Sequence, residues 1–220
     1  MKRARLVVLA SGRGSNYSAL AEAIAAGQCH AEIVGVVSDK QDAGVLARAT
    51  EGGVPTHVEP LGKGADRAAW NERLRDAVAA FAPDFVVLAG FMRVVAPSFL
   101  DRFRHRVVNV HPSLLPAFPG HDGPAQAIRA GVRITGCTVH LVDDGVDTGP
   151  ILAQAAVPVL PDDDVASLHG RIQSVEHALL AASIDALARG EFSVSDPRTT
   201  TARFDAAASL VVPSITTRRT

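Results

Sequence analysis

Short, wholly apolar runs alternate with stretches in which apolar residues recur every three or four positions through the first 130 residues of the chain. An apolar run bounded by turn residues reads as a strand buried on both faces, and the three-to-four period as one face of a helix. Strands are predicted over 4–10 (ARLVVLA), 31–37 (AEIVGVV), 54–58, 85–89 (FVVLA) and from 107 onward. Helices are predicted from about 17 to 27, 42–51, 65–81, 97–102 and 124–130. Trp70, Leu74 and Val78 form the stripe of the third helix, and Gly52-Gly53 stops the second. Beyond residue 130 the pattern changes: 134–142 (ITGCTVHLV) alternates, with Thr138 and His140 facing one way, and 151–157 follows a turn-rich loop. That reads as an antiparallel pair. A last helix is predicted over roughly 163–189, with Val165, Leu168, Ile172, Leu179 and Leu187 inward, and from about Ser193 the period is lost. Strands alternating with helices imply parallel pairing and right-handed crossovers. The expected fold is α/β, a Rossmann-like, mostly parallel twisted sheet with helices on both faces and an antiparallel C-terminal edge. One domain is expected over 1–192, and a tail over 193–220 that is partly ordered at most.

In such sheets ligands bind at the carboxyl ends of the strands. Three of those ends carry suitable residues: Ser11-Gly-Arg-Gly-Ser-Asn16, Gly90-Phe-Met-Arg93 and Asn109-Val-His111. The first is strand, Gly-rich turn, helix, a place where unpaired N–H groups and the helix dipole suit a phosphate. Tyr17 stands where a dinucleotide fingerprint needs its third Gly, and the Gly-Lys-Ser/Thr ending of a P-loop is missing. The plain alternative is a tight turn capped by Ser15 or Asn16. Asn109 and His111 alternate with Val108 and Val110, so both point to one face, and Pro112 ends the strand. The plain alternative there is a hydrogen-bonded polar pair at a strand end. Ser38-Asp39 is a candidate cap for the second helix, the run Asp162-Asp163-Asp164 suits the start of the last one, and Asp147 sits in ordinary turn sequence.

Composition narrows the partners. Apolar residues make up 47% of the chain and aromatics 5%, so Val, Leu, Ile and Ala must build the core. A formal net charge of -1 offers no electrostatic argument for nucleic acid. Cys29 and Cys137 match no metal or redox spacing and read as small buried hydrophobes in a reducing cytosol. His30, His57, His105, His140, His169 and His177 show no ligand spacing, so no metal is expected. The apolar run after the basic start is too short for a secretory core, and nothing approaches the ~18 residues of a spanning helix. The expectation is a soluble cytoplasmic protein, monomer or homodimer, binding small molecules and neither nucleic acid nor membrane.

Ser11-Gly-x-Gly-Ser-Asn16, Asn109-x-His-Pro-Ser-Leu-Leu-Pro116 and Asp147-x-Gly-Pro150 together resemble the folate-dependent formyltransferases. The resemblance runs in the same order over nearly the whole chain, and the Gly-rich turn narrows it to the branch acting on glycinamide ribonucleotide (GAR). It implies transfer of the formyl group of 10-formyltetrahydrofolate to the GAR amine, in purine (IMP) synthesis. It assigns catalysis to Asn109, His111 and Asp147, and the substrate phosphate to Gly14, Ser15 and Asn16. Gly90, Met92 and Glu176 are implied as further substrate contacts. Folate contacts are implied at Arg93, Val94, Val95, Asn109, Asp143 and Asp144, and at Arg67 as a folate-tail or phosphate-side arginine. A cis Leu115–Pro116 bond is implied as well. One departure stands out: the family carries x-His after Pro-Gly, whereas here His121 follows Gly120 directly, and it is left out of the catalytic set. Another formyl-folate enzyme (formyltetrahydrofolate hydrolase or methionyl-tRNA formyltransferase) fits less well, given the near-neutral charge, the length and the phosphate turn. A dehydrogenase or non-catalytic nucleotide-binding module on a Rossmann-like sheet is weakened by the absent third Gly.

Overall fold

In β1 (Ala4–Leu9) Leu6 and Val8 point to one face of the sheet, Val7 and Leu9 to the other, and all four are fully buried. The same holds for Val86 and Leu88 against Val87 in β4 (Phe85–Leu88). A strand whose two faces are both covered has no polar side, which is why these segments read as unbroken apolar runs. The computed structural model describes residues 2–196 and 199–202 of the chain.

The chain continues as α1 (Ser15–Ala25), β2 (Ala31–Ser38), α2 (Gly44–Glu51), β3 (Thr56–Val58) and α3 (Arg67–Ala80). After β4 come α4 (Pro97–Arg102), β5 (Val107–His111), α5 (Gly123–Ala130), β6 (Ile134–Leu141), β7 (Ile151–Pro158) and α6 (Val165–Ala188). Seven strands form one sheet in the order β3-β2-β1-β4-β5-β6-β7. Pairing is parallel from β3 to β5 and antiparallel for β5–β6 and β6–β7. The expected mostly parallel sheet with an antiparallel C-terminal edge is therefore the observed one. The order reverses between β1 and β4, the switch point at which a crevice opens. One core lies between the sheet and α1, α2, α5 and α6, the other under α3 and α4 around Trp70, Phe99 and Phe103.

Several local expectations change. Gly14, not a side chain, occupies the N-cap of α1, so Ser15 and Asn16 lie inside its first turn. Ala43 caps α2; the Ser38 hydroxyl instead accepts from the Lys40 amide, and Asp39 turns to Arg93. Val165 is 46% exposed rather than inward, because it is the first residue of α6 and borders an open cleft; Leu168, Ile172, Leu179 and Leu187 are buried as expected. The Asp run does start α6: Asp164 and Ser167 form a capping box, and Asp163 pairs with Arg171. Where no period was evident, β8 (Phe192–Asp196) and β9 (Thr199–Ala202) pair antiparallel, and the rest of the predicted tail, 197–198 and 203–220, lies outside the described residues. Among the described residues no helix is long and apolar enough to cross a membrane.

Candidate active site

Val107 is buried with the α3 and α4 side chains, and Asn109 and His111 continue along the same face of β5 into a cleft of about 420 Å³. The apolar strand sets their direction and Pro112 ends it, so the two side chains meet the cleft where sheet pairing stops. Parallel pairing puts Asn109 opposite Leu88, bringing residues 90–95 after β4 to one wall. Antiparallel pairing puts Asn109 opposite His140 and His111 opposite Thr138, bringing the 143–147 loop to the other.

Asp147 joins them. Its Oδ2 lies 3.3 Å from His111 Nδ1 and accepts the Gly120 amide at 2.7 Å; its Oδ1 lies 3.4 Å from Asn109 Nδ2. Its φ of 56° is left-handed, a region Asp tolerates better than most residues. The Asp143 carboxylate ties the turn before it by accepting the Gly145 amide and the Thr148 hydroxyl. Burial works against the Asp147 charge, but the His140 ring, the Gly120 amide and the His111 ring outweigh it, so its carboxyl lies below the usual range. The Phe118 carbonyl, which can only accept, stands 2.8 Å from His111 Nε2; that nitrogen therefore carries a proton, and Nδ1 is the atom turned to Asp147. Likewise the Leu141 carbonyl, 2.9 Å from His140 Nδ1, keeps a proton on that nitrogen, and its Nε2 lies 3.1 Å from Asn109 Nδ2 and 3.6 Å from Asp147 Oδ1. His140 was not among the predicted site residues; the alternation of β6 that pairs it with Thr138 was the available signal.

The wall over 90–95 is knit to the Gly-rich turn. The Ser11 amide donates to the Gly90 carbonyl at 3.0 Å, and the Met92 amide to the Ser11 hydroxyl at 2.8 Å. Arg93 Nε pairs at 2.7 Å with Asp39, whose side chain is fully buried. Arg67 does not line the cleft but donates to the Val94 carbonyl at 3.0 Å, holding the wall from behind. Met92, Val94, Val146 and Val165 line the cleft with exposed apolar surface suited to a flat ring system. Asp143 lines it too, whereas Asp144 lines a second, smaller cavity. His121 sits at the mouth, 81% exposed, beside Asp122.

Gly14, Ser15, Asn16 and Glu176 lie outside that lining. Gly14 has φ 83°, and a Cβ there would stand 2.7 Å from Val45 Cβ, so only glycine lets α2 pack against the turn. No side chain caps α1 among the described residues, so its first-turn N–H groups, which have no partner within the helix, are left to a ligand or solvent. Helix α6 supports the turn: Gln173 Nε2 approaches Ser15 Oγ at 3.3 Å, and Asn16 Nδ2 approaches Glu176 Oε2 at 3.5 Å. The Asn16 Oδ1 is buried with no hydrogen-bond partner among the described residues. Glu176 is 4% exposed, and burial, only partly offset by Asn16, pushes its carboxyl up to about 7.

An anion-receptive helix start thus adjoins an apolar cleft floored by Asn, His and Asp. Residues 4–184 match the family model described as formyl transferase. The chain is 51% identical over 185 residues to phosphoribosylglycinamide formyltransferase of Mycobacterium tuberculosis, covering 84% of this chain and 85% of that protein. The Escherichia coli K12 enzyme of the same name is 38% identical over 191 residues, covering 87% and 90%. In structure it is similar to glycinamide ribonucleotide transformylase 1 from Symbiobacterium toebii, with a TM-score of 0.88, 39% identity and coverage of 91% and 94%. By sequence, fold and site, the chain belongs to the formyl transferase family.

Proposed function

We propose that this protein transfers the formyl group of 10-formyltetrahydrofolate to the primary amine of GAR, giving formyl-GAR and tetrahydrofolate, in the cytoplasmic purine pathway. The observation that carries the reading is the approach of one carboxylate, Asp147, to both Asn109 Nδ2 and His111 Nδ1, at 3.4 and 3.3 Å, on the floor of the cleft. The GAR phosphate takes the α1 start at Gly14, Ser15 and Asn16, with Glu176 and the backbone near Gly90 and Met92 binding the rest of the nucleotide. The pterin takes the opposite side, against Arg93, Val94, Val95 and Asp143, with Arg67 behind them and Asp144 next in the loop, outside the cleft lining.

The amine attacks the formyl carbon and a tetrahedral oxyanion forms. Asn109 and a protonated His111 donate to it, each such donor contributing roughly 3 kcal/mol. The oxyanion replaces the two long contacts to Asp147, from Asn109 Nδ2 at 3.4 Å and from His111 Nδ1 at 3.3 Å, while His111 Nε2 stays on the Phe118 carbonyl. Asp147, ionised at neutral pH, faces His111 Nδ1 at 3.3 Å and takes the amine proton, directly or through water, toward the departing folate nitrogen. No step calls on a metal. The test is absorbance of the folate product with purified protein. It should grow only when formyl-folate and GAR are both present; growth without GAR would replace this reading with formyl-folate hydrolysis, and no growth in either case would remove it.

A further inference from the structure

The loop over 112–121 touches both ionisable groups of the floor. Its Phe118 carbonyl accepts from His111 Nε2 at 2.8 Å, and its Gly120 amide donates to Asp147 Oδ2 at 2.7 Å. Little regular structure holds it: α5 starts only at Gly123, and β5 ends at His111. Two glutamines from outside the loop hold its two ends instead. On β7, Gln154 Nε2 donates to the Leu115 carbonyl at 2.8 Å and to the Thr138 hydroxyl at 3.0 Å. Thr138 Oγ1 in turn accepts the Leu115 amide at 3.0 Å and donates to the Ser113 carbonyl at 2.7 Å. On α5, Gln126 Nε2 donates to the Pro119 carbonyl at 3.0 Å and to the His121 carbonyl at 2.8 Å. In both amides at least one acceptor is a carbonyl, so the orientation of each is determined.

We propose that Gln126 and Gln154 are positioning residues for formyl transfer: they clamp the two ends of the loop whose Phe118 carbonyl and Gly120 amide set the ring of His111 and the carboxylate of Asp147. The inference rests on the function proposed above. Neither glutamine lines the cleft, and each Nε2 is engaged on loop carbonyls. The clamp acts on geometry and on the histidine tautomer. Without the carbonyl at its present place, His111 loses the partner that keeps a proton on Nε2 and turns Nδ1 to Asp147. A displacement of about 1 Å at reacting groups costs on the order of 100-fold in rate.

The test uses the full chain, with Gln126→Leu and Gln154→Leu assayed for kcat, for KM of both substrates and for the pH profile of kcat. Nitrogen-15 spectra of the His111 ring accompany the assays. Each variant should lower kcat at least tenfold, leave both KM values within about threefold, shift the pH profile and move the ring resonances, since loop geometry rather than binding is disturbed. Unchanged kcat and pH profile with only a lowered melting temperature would overturn the proposal, as would raised KM at constant kcat. Gln154 is half-buried on β7 opposite Thr138, so if Gln154→Leu does not fold, Gln126→Leu on the half-buried face of α5 decides. A wild-type spectrum with the proton on Nδ1 and none on Nε2 overturns it without any variant. Wild-type protein inactive with both substrates would instead sink the formyl-transfer reading.

Discussion

His111 is held at both ring nitrogens, by Phe118 on one side and Asp147 on the other, and faces the cleft between them. Replacing it with Ala is expected to lower the chemical step by about 100-fold or more, the size seen when an oxyanion donor is lost; single-turnover kinetics check this. Glu176 makes a second prediction at this scale. Its carboxyl, about 4.5 when free, rises to about 7 on burial, so the folded chain binds that proton more tightly than the unfolded one. Folding is unpenalised below about 4.5 and loses stability as pH climbs to about 7, above which the loss is constant. Glu176→Gln should therefore gain stability over the wild type at pH 8, on the order of 3 kcal/mol at most, and little at pH 4; urea melts at the two pH values measure it. The same change should weaken GAR binding, so the two effects run in opposite directions. Asn109 and His111 were legible as a pair from strand alternation alone. His140 was not, because a histidine on an alternating strand looks the same whether its neighbour across the sheet is Asn109 or a solvated residue.

At the scale of elements, the turn between β1 and α1 is the most constrained. Gly14→Ala would place a methyl 2.7 Å from Val45 Cβ at φ 83°, so the expected cost is roughly 1–3 kcal/mol, together with a raised KM for the nucleotide but not for folate; calorimetry and steady-state kinetics separate the two. Helix α3 is capped by Asp66, which accepts from the Ala68 and Ala69 amides, and its first residue is Arg67. Asp66→Ala should lower stability by about 1 kcal/mol and, by loosening the Arg67 contact to Val94, raise KM for formyl-folate more than for GAR. Nearly every element was legible to within two residues, because burial on both faces of a parallel sheet leaves a plain apolar signature. The caps were not. Ser15, Asn16, Ser38 and Asp39 all have cap chemistry, yet Ser15, Asn16 and Asp39 meet partners distant in sequence, Gln173, Glu176 and Arg93, and Ser38 takes the Lys40 amide before α2 begins.

At the scale of the molecule, two substrate sides share one framework: Ser11 ties the Gly-rich turn to the wall over 90–95, and α6, in the same layer as α1, contacts that turn through Gln173 and Glu176. A ligand that binds only the folded chain stabilises it by about 2.7 kcal/mol at 100 times its dissociation constant. GAR and a non-reactive folate analogue should each raise the melting temperature, whereas NAD(P) should not; a shift with micromolar NAD(P) would revive a dehydrogenase. By itself the sequence determined the α/β architecture, the antiparallel edge, the family motifs and the polar pair on β5, since periodicity and turn chemistry are properties of neighbouring residues. Only the tertiary structure decided which nitrogen of His111 faces Asp147, that His140 orients Asn109, and that Gln126 and Gln154 hold the loop between them. Those contacts join residues up to 39 positions apart, and a hydrogen bond of that span is set by how strands pair and helices pack, which no local pattern records.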